Sequence, residues 1–176
     1  MLRILPYINN WFFAKQSYLE TFSRNDTRVE GWFKGELLFL FDILKRQRII
    51  NDLDREFIIR NGKRNQIDFR LNIDYDFNLL ELKPLCISQA LRTPRNLRFY
   101  FKDDHVGLIK DFRKLDLIDH NNKWILAFVY PNPFEDLWNK VCSEIPNEFN
   151  HWQCISHIRE YPDFLFISLW KSNHLT

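Results

Sequence analysis

The residue types best suited to chemistry lie within residues 66–85, which read QIDFRLNIDYDFNLLELKPL. Asp68 falls on one predicted strand, and Glu81 and Lys83 fall near the end of the next. Two carboxylates supply the oxygen ligands that a hard divalent cation prefers, and a cation bound in this way activates water and phosphate oxygens. A lysine beside it balances negative charge. The stretch therefore predicts a site for metal-assisted hydrolysis of a phosphodiester.

The spacing of these residues predicts that they share one face of a β-hairpin. A two-residue turn at Asp74 and Tyr75, or a four-residue turn around it, places Asp68 directly opposite Glu81. Cross-strand partners have Cβ atoms roughly 5 Å apart, which is close enough for both carboxylates to bind one cation. Lys83 lies two residues beyond Glu81 and projects from the same face. An odd-length turn or a bulge would break this register.

A second interpretation of this trio is a surface charge ladder, in which Lys83 is only a counter-ion. Phe77 and Leu79 fall on the same predicted face and indicate that it is covered. A covered face favours the functional interpretation, because unpaired carboxylates are expensive to bury.

Helices and strands are predicted on both sides of this hairpin. The predicted helices are residues 9–22, a helix capped by Asp26 or Thr27 and running to about 48, a helix capped by Asp103 or Asp104 and running to 117, and residues 134–145. The predicted strands are residues 56–60, 66–72, 77–83, 123–130 and 164–170. Asn61 and Gly62 signal a tight turn after the first strand, and Pro84 is expected to end the third.

Glu36 interrupts the apolar stripe of the second predicted helix, four residues after Trp32 and four before Leu40. A carboxylate on an apolar face needs a partner or a ligand. Glu36 is therefore a candidate site residue, although a salt bridge at the edge of the stripe explains it equally well. Glu20 and Glu30 are rival acids for the same role.

This order of elements resembles the PD-(D/E)XK superfamily, the restriction-endonuclease-like nucleases, over about residues 29–130. The resemblance rests on Glu36 in GELLFL, Asp68 in QIDFRL and the Glu-x-Lys of LLELKPL. It implies an α/β (α+β) fold with a restriction-endonuclease-like core. Its central mixed sheet would have four to five strands, flanked by helices on both sides.

The resemblance also implies a role for each motif residue. Asp68, Glu81 and the backbone carbonyl of Leu82 would bind the metal. Lys83 would orient or help to deprotonate the attacking water. Glu36 would join a second metal or the outer shell, which makes Glu36, Asp68, Glu81 and Lys83 the expected catalytic set.

Two departures from the superfamily pattern matter. Ile67 rather than proline precedes Asp68, and no Gln-x-x-x-Tyr element follows the third strand. Some superfamily members have lost catalysis, and others act on varied DNA and RNA. The expectation is a Mg²⁺-dependent endonuclease, most simply a deoxyribonuclease, with Mn²⁺ as a substitute. The alternative is a catalytically silent module of this fold that binds nucleic acid or a partner protein.

A third class, an interaction or immunity-type protein, is also open. Aromatic residues make up 16% of the chain, and Trp11, Phe12 and Phe13 are the patch to test. A zinc site at His151, Cys154 and His157 is disfavoured. On a strand, Cys154 would face away from both histidines, and the local ligand count stops at three.

Composition predicts one globular domain over residues 1–176, made of N-terminal helices (1–48), a motif-bearing sheet (52–85) and a completing unit (103–171). The net charge of +2 does not by itself indicate nucleic acid. Two basic clusters are nevertheless expected to contact phosphates of double-stranded DNA. They are Lys45, Arg46 and Arg48, and Arg92, Arg95, Arg98 and Lys102. Cutting both strands needs two active sites, which favours a homodimer.

Cysteine usage and the apolar segments bear on location. Three cysteines without CxxC spacing favour reduced thiols and a cytoplasmic protein. The N-terminus lacks the pattern of a signal peptide, and the apolar run GELLFLFDIL is too short to span a bilayer. No membrane association is expected.

Overall fold

The computed structural model describes residues 1–25, 27, 29–60, 64–87, 97–101, 107–133, 135–158 and 165–173. The helices are α1 (Leu5–Phe13), α2 (Gln16–Arg24), α3 (Glu30–Arg46), α4 (Leu108–Asp116) and α5 (Glu135–Ser143), with 3₁₀ turns at Leu2–Ile4, Leu97–Phe101 and Asn147–Phe149. The strands are β1 (Asp52–Arg60), β2 (Arg64–Ile73), β3 (Asp76–Cys86), β4 (Lys123–Tyr130), β5 (Trp152–Ile158) and β6 (Phe166–Ser172). None of these helices is long and apolar enough to cross a membrane.

The strands form one mixed sheet in the order β1-β2-β3-β4-β6-β5. Strands β1, β2 and β3 make an antiparallel meander, whereas β3 and β4 are parallel. A parallel pair needs a long crossover, and α4 lies in this one. The chain is thus mixed α/β, as expected.

Helices cover both faces of the sheet, and each face has its own apolar core. The helices α1, α2 and α3 pack on one face, where Phe33 and Phe41 are fully buried. The other face is covered by α4 and α5, where Phe112 and Trp138 are buried. All eight residues of β4 are buried, which agrees with a strand covered on both faces. The site residues therefore lie in a sheet held rigid from both sides.

The sheet has six strands, so the expectation of four to five was wrong. The strand that the pattern did not indicate is β5, whose sequence WQCISHI mixes apolar and polar residues. It is an edge strand paired only with β6, and its register shifts between Cys154 and Ser156. A shifted edge strand does not need the regular alternation that identifies a half-buried strand.

Pro84 does not end β3, which continues to Cys86. Backbone N–H groups of Leu79 and Ile87 donate to the β4 side of the strand, at Asn122 O and Tyr130 O. Pro84 is out of phase with them, so its missing N–H faces the β2 side, where no ladder remains. A proline is tolerated in a strand at such a position.

Helix boundaries also differ from the prediction. The first helix (9–22) is two helices that meet at Ala14 and Lys15. Helix α3 starts after Val29 without a side-chain cap, and Thr27 instead bonds the Asn25 carbonyl. Asp26, Asn61, Gly62, Asp103 and Asp104 lie outside the described residues.

Candidate active site

The turn between β2 and β3 sets the register of the site. Asp74 and Tyr75 both have positive φ, 53° and 69°, and Ile73 pairs with Asp76. Such a two-residue turn matches the twist of a hairpin. The predicted turn and register are therefore confirmed over the ladder, which runs from Ile73 and Asp76 to Phe69 and Leu80.

The ladder stops one position before Asp68 and Glu81. There Oδ2 of Asp68 accepts a hydrogen bond from the backbone N–H of Leu82 at 2.8 Å. Asp68 thus supplies the acceptor that a backbone carbonyl of β2 supplies elsewhere. The N–H and C=O of one strand residue point to the same side, so the Leu82 carbonyl faces this opening too.

The other side of β2 is irregular at the same level. The ladder between β1 and β2 omits the pair that would join Glu56 to Asp68, and Glu56 has φ 52°. A non-glycine residue in this region marks a local departure from strand geometry. Asp68 is therefore held where both of its neighbouring strands depart from regular pairing.

A cleft of about 360 Å³ lies beside this opening, between the start of α3 and one side of α4. Glu81 and Lys83 reach it from β3. The charged residues that line it from the helices are Glu30, Lys110, Asp111 and Lys114. The sheet supplies the predicted acid and lysine, and α4 adds an unpredicted set of charges.

Lysines bind every carboxylate at the base of the site. Lys114 Nζ lies 2.6 Å from Glu81 Oε1, and Lys83 Nζ lies 2.7 Å from Asp111 Oδ2. Lys34 Nζ bridges Asp68 Oδ1 at 2.8 Å and Glu30 Oε1 at 2.7 Å. The side chains of Asp68, Glu81 and Asp111 are only 6–11% exposed.

Burial shapes the protonation of these groups. It raises the pKa of Glu81 to about 7, helped by the charge of Asp68 and opposed by Lys114. Burial also raises the pKa of Asp111, although Lys83 opposes it. For Lys34, burial acts to lower the pKa, but the bonds to Asp68 and Glu30 outweigh it and raise the pKa. The base of the cleft therefore favours an added positive charge, either a proton or a cation.

Two buried carboxylate oxygens at this site accept no hydrogen bond from the described residues. One is Asp111 Oδ2, which still has Lys83 Nζ at 2.7 Å, and the other is Glu81 Oε2. A buried acceptor without a donor is costly. Together with the raised pKa of Glu81, it indicates a place where a cation would be stabilised.

The donor set fits a hard cation in composition. The described residues contain no group of three or more His, Cys, Asp and Glu side chains placed to hold a metal ion. The predicted site needs only two carboxylates and a carbonyl, and waters complete the shell of a cation such as Mg²⁺. The oxygens that would supply this set are those of Asp68, Glu81 and the Leu82 carbonyl. Both Asp68 oxygens are already bonded, Oδ2 to the Leu82 N–H and Oδ1 to Lys34.

Glu36 is not brought to this cleft. Its Oε2 accepts a hydrogen bond from Trp11 Nε1 at 2.9 Å and pairs with Lys15 Nζ at 3.1 Å. It lines a separate shallow cavity with Trp32 and Phe39. Glu36 is thus a salt-bridged residue at the edge of the apolar stripe, which was the alternative to a role in the site.

The acid that α3 presents to the cleft is Glu30, the rival named from the sequence. Six residues correspond to about 240° around a helix, so Glu30 and Glu36 point in different directions. The apolar stripe identified the buried face of the helix. It did not show which end of that helix lies over the opening between β2 and β3.

Lys34, Asp111 and Lys114 were not predicted. A signal for Asp111 existed, because it falls among the apolar residues Leu108, Phe112 and Leu115 of α4 and is buried with them. The same reasoning singled out Glu36, as a carboxylate among apolar residues, and it applies equally to Asp111 on α4. The lysines carry no such signal, since lysine on a helix is ordinarily exposed.

The predicted phosphate contacts are mostly paired with acids. Lys45 binds Asp52 at 2.6 Å, Arg46 binds Asp42 at 2.5 Å and Arg98 binds Glu144 at 2.7 Å. Arg48 is exposed just after α3. Arg92, Arg95 and Lys102 lie outside the described residues. Three other lysines line the cleft, Lys83, Lys110 and Lys114, and of these Lys83 and Lys114 are also paired with acids.

The features that suggested other classes are also placed. Phe12 is fully buried and Trp11 partly so, whereas Phe13 is 47% exposed. The Trp11-Phe12-Phe13 run is thus mainly core. His151 Nε2 lies 3.0 Å from Asp116 Oδ1.

Comparisons of the chain with protein-family models, with curated proteins and with solved structures find no match. The resemblance noted from the motif residues therefore stays a prediction. The case for a function depends on the chemistry of the cleft.

Proposed function

We propose that this chain is a Mg²⁺-dependent endonuclease that hydrolyses phosphodiester bonds of nucleic acid, most simply double-stranded DNA. The observation that carries the proposal is the opening between β2 and β3. There the backbone N–H of Leu82 bonds Asp68 Oδ2, and Glu81 and Lys83 line the adjoining cleft. The order α3, β1-β2-β3, α4, β4 adds support, because it is the order expected of a restriction-endonuclease-like core.

The metal-binding residues are Asp68, Glu81 and Leu82, the last through its carbonyl. Mg²⁺ held there, or Mn²⁺ in its place, would supply Lewis-acid chemistry to a phosphate oxygen and to the attacking water. Glu30 takes the outer position that was expected of Glu36. It already shares Lys34 with Asp68.

Lys83 positions the attacking water and stabilises the charge that develops on phosphate. Its ammonium forms an ion pair with Asp111 Oδ2 at 2.7 Å, which holds it beside the cleft. Asp111 is a positioning residue because it acts through Lys83. Lys110 and Lys114, one helical turn apart on α4, hold the phosphates that flank the scissile bond.

The described part of one chain presents one such cleft. Cleavage of both strands of a duplex therefore needs two copies, arranged symmetrically. A homodimer in the cytoplasm is part of the proposal.

The proposal is tested by incubating the purified protein with a panel of DNA and RNA substrates in Mg²⁺, Mn²⁺ or EDTA. Cleavage is expected with either metal and not with EDTA. Asp68→Ala and Lys83→Ala are each expected to abolish it, while Lys15→Gln, outside the cleft, is expected to retain it. Absence of cutting across the whole panel contradicts the enzyme.

A catalytically silent module is the second candidate, and one observation favours it. Lys34 and Lys114 neutralise Asp68 and Glu81 without any metal. A module of this kind binds nucleic acid through the lysines and needs no cation. Titration with Mn²⁺ separates the two, because the nuclease binds the metal through Asp68 and Glu81.

A further inference from the structure

Two lysines approach the metal-binding carboxylates from opposite faces of the sheet. Lys34 extends from α3, which packs on one face, and Lys114 extends from α4, which packs on the other. Each ammonium lies within hydrogen-bonding distance of one carboxylate oxygen, 2.8 Å for Asp68 and 2.6 Å for Glu81. One oxygen of each metal ligand is thus already bound by a cationic side chain.

We propose that Lys34 and Lys114 are phosphate-binding residues that hold Asp68 and Glu81 in place of the metal until nucleic acid arrives. This inference rests on the proposed function. It assigns to the two lysines a role that the motif residues do not imply. Metal and nucleic acid would then bind cooperatively, because each favours the same arrangement of the lysines.

Both lysines have somewhere to go when they leave the carboxylates. Lys34 already contacts Glu30 at 2.7 Å, so it keeps one partner after it releases Asp68. Lys114 lines the open cleft beside Lys110. The lysine side chains are 29% and 27% exposed, against 11% and 10% for their acids. The cations are thus the members of each pair that a phosphate in solvent can reach.

The competition has a direct electrostatic consequence. A divalent cation that binds between Asp68 and Glu81 is repelled by the ammonium groups of Lys34 and Lys114, which already neutralise part of the carboxylate charge. A phosphate that draws the ammonium groups away removes this repulsion and frees two oxygens. By linkage, the gain in metal affinity caused by the nucleic acid equals the gain in nucleic-acid affinity caused by the metal.

The test measures Mn²⁺ affinity by calorimetry without nucleic acid, for the wild type, Lys34→Gln, Lys114→Gln and Lys15→Gln. Lys15 is the matched control, because it pairs with Glu36 at 3.1 Å, with 22% exposure, outside the cleft. Removing one positive charge a few ångströms from the metal is expected to tighten Mn²⁺ binding roughly tenfold or more. Lys15→Gln is expected to match the wild type.

A second measurement repeats the titration with a short phosphorothioate DNA duplex. The duplex is expected to tighten Mn²⁺ binding to the wild type, and to do so less in either lysine variant. If Mn²⁺ binds the wild type but neither substitution changes its affinity, this inference is wrong and the proposed nuclease stands. If none of the proteins binds Mn²⁺ and none cuts nucleic acid, the proposed function itself is wrong. Thermal melting checks that each variant is folded. Lys34 and Lys114 are tested in separate variants, so if one variant does not fold, the other still tests the inference.

Discussion

Asp68 accepts the backbone N–H of Leu82 at the position where the β2–β3 ladder ends. The same carboxylate binds Lys34 through its other oxygen. One oxygen of Asp68 therefore holds the backbone of β3, and the other balances the charge of Lys34. These two roles respond differently to substitution.

Asp68→Asn and Asp68→Ala are expected to separate the hydrogen bond to Leu82 from the charge of the carboxylate. Asparagine keeps an acceptor for Leu82 and loses the charge, so the fold should be retained while Mn²⁺ binding and cleavage are lost. Alanine also leaves a buried N–H without a partner, which costs roughly 1–3 kcal/mol of unfolding free energy. Urea denaturation and Mn²⁺ calorimetry on both variants check this. Equal stabilities would show that the bond to Leu82 contributes little.

Glu81 is expected to make stability depend on pH. Its pKa is about 7 in the folded state, above the ordinary 4.5 of an unfolded glutamate. Between pH 4.5 and pH 7 the folded state binds more protons than the unfolded state. The contribution of Glu81 to stability is therefore full below pH 4.5 and is lost as the pH rises through 7. Glu81→Gln should therefore stabilise the metal-free protein more at pH 8 than at pH 5, as measured by urea denaturation.

Metal supplies the control for that experiment. Mn²⁺ at pH 8 should stabilise the wild type, because it binds the folded state only, and should not stabilise Glu81→Gln. An advantage of Glu81→Gln that is the same at both pH values would contradict the raised pKa.

Asp111→Asn tests whether Asp111 acts through Lys83. Losing a supporting partner of this kind typically lowers activity by roughly 10- to 100-fold, with the fold intact. The rate constant for cleavage should fall while the affinity for DNA changes little. In the double variant with Lys83→Arg, whose positive charge leaves a cleavage rate to measure, the two losses should not add. Full additivity of the two losses would refute the coupling.

Glu30→Gln and Glu36→Gln distinguish the two acids of α3. Glu30 lines the cleft, so Glu30→Gln should slow cleavage. Glu36 bonds Trp11 and Lys15, so Glu36→Gln should leave the cleavage rate unchanged and lower stability by about 1 kcal/mol. Initial cleavage rates and melting temperatures measured on both variants give the comparison. The reverse pattern would restore Glu36 to the site.

Salt dependence tests the cations of α4. If Lys110 contacts a phosphate, Lys110→Gln should reduce the slope of log affinity against log salt by about one unit. Lys45→Gln is the matched control, because Lys45 pairs with Asp52 and does not line the cleft. Binding isotherms on a DNA duplex at several salt concentrations measure the slope. Equal slopes for both variants and the wild type would remove Lys110 from the interface.

The parts of the site that were predictable follow from local rules. Asp74 and Tyr75 form a tight turn, and period-two alternation then fixes which residues of β2 and β3 face each other. The register from the turn to Phe69 and Leu80 needed nothing beyond this arithmetic, but the pairing ends before Asp68 and Glu81. Apolar periodicity also predicted the order of the other elements, but it missed β5 and joined α1 and α2 into one helix.

The remainder depends on tertiary placement. Whether Glu30 or Glu36 reaches the cleft depends on how α3 lies across the sheet. The helical periodicity of the sequence gives no information on that orientation. Lys34 and Lys114 are brought to the carboxylates by helices on opposite faces. Pro84 is tolerated in β3 only because β2 has already left that side of the strand.

The crossover from β3 to β4 also orders the assembly of the site in time. Asp68, Glu81 and Lys83 leave the ribosome before α4, which carries Asp111 and Lys114, and before β4, which pairs with β3. A nascent chain ending ahead of α4 holds the motif residues without the charges that position them. In the proposed nuclease, competence to cut nucleic acid would therefore arise late in synthesis, once α4 covers the second face of the sheet.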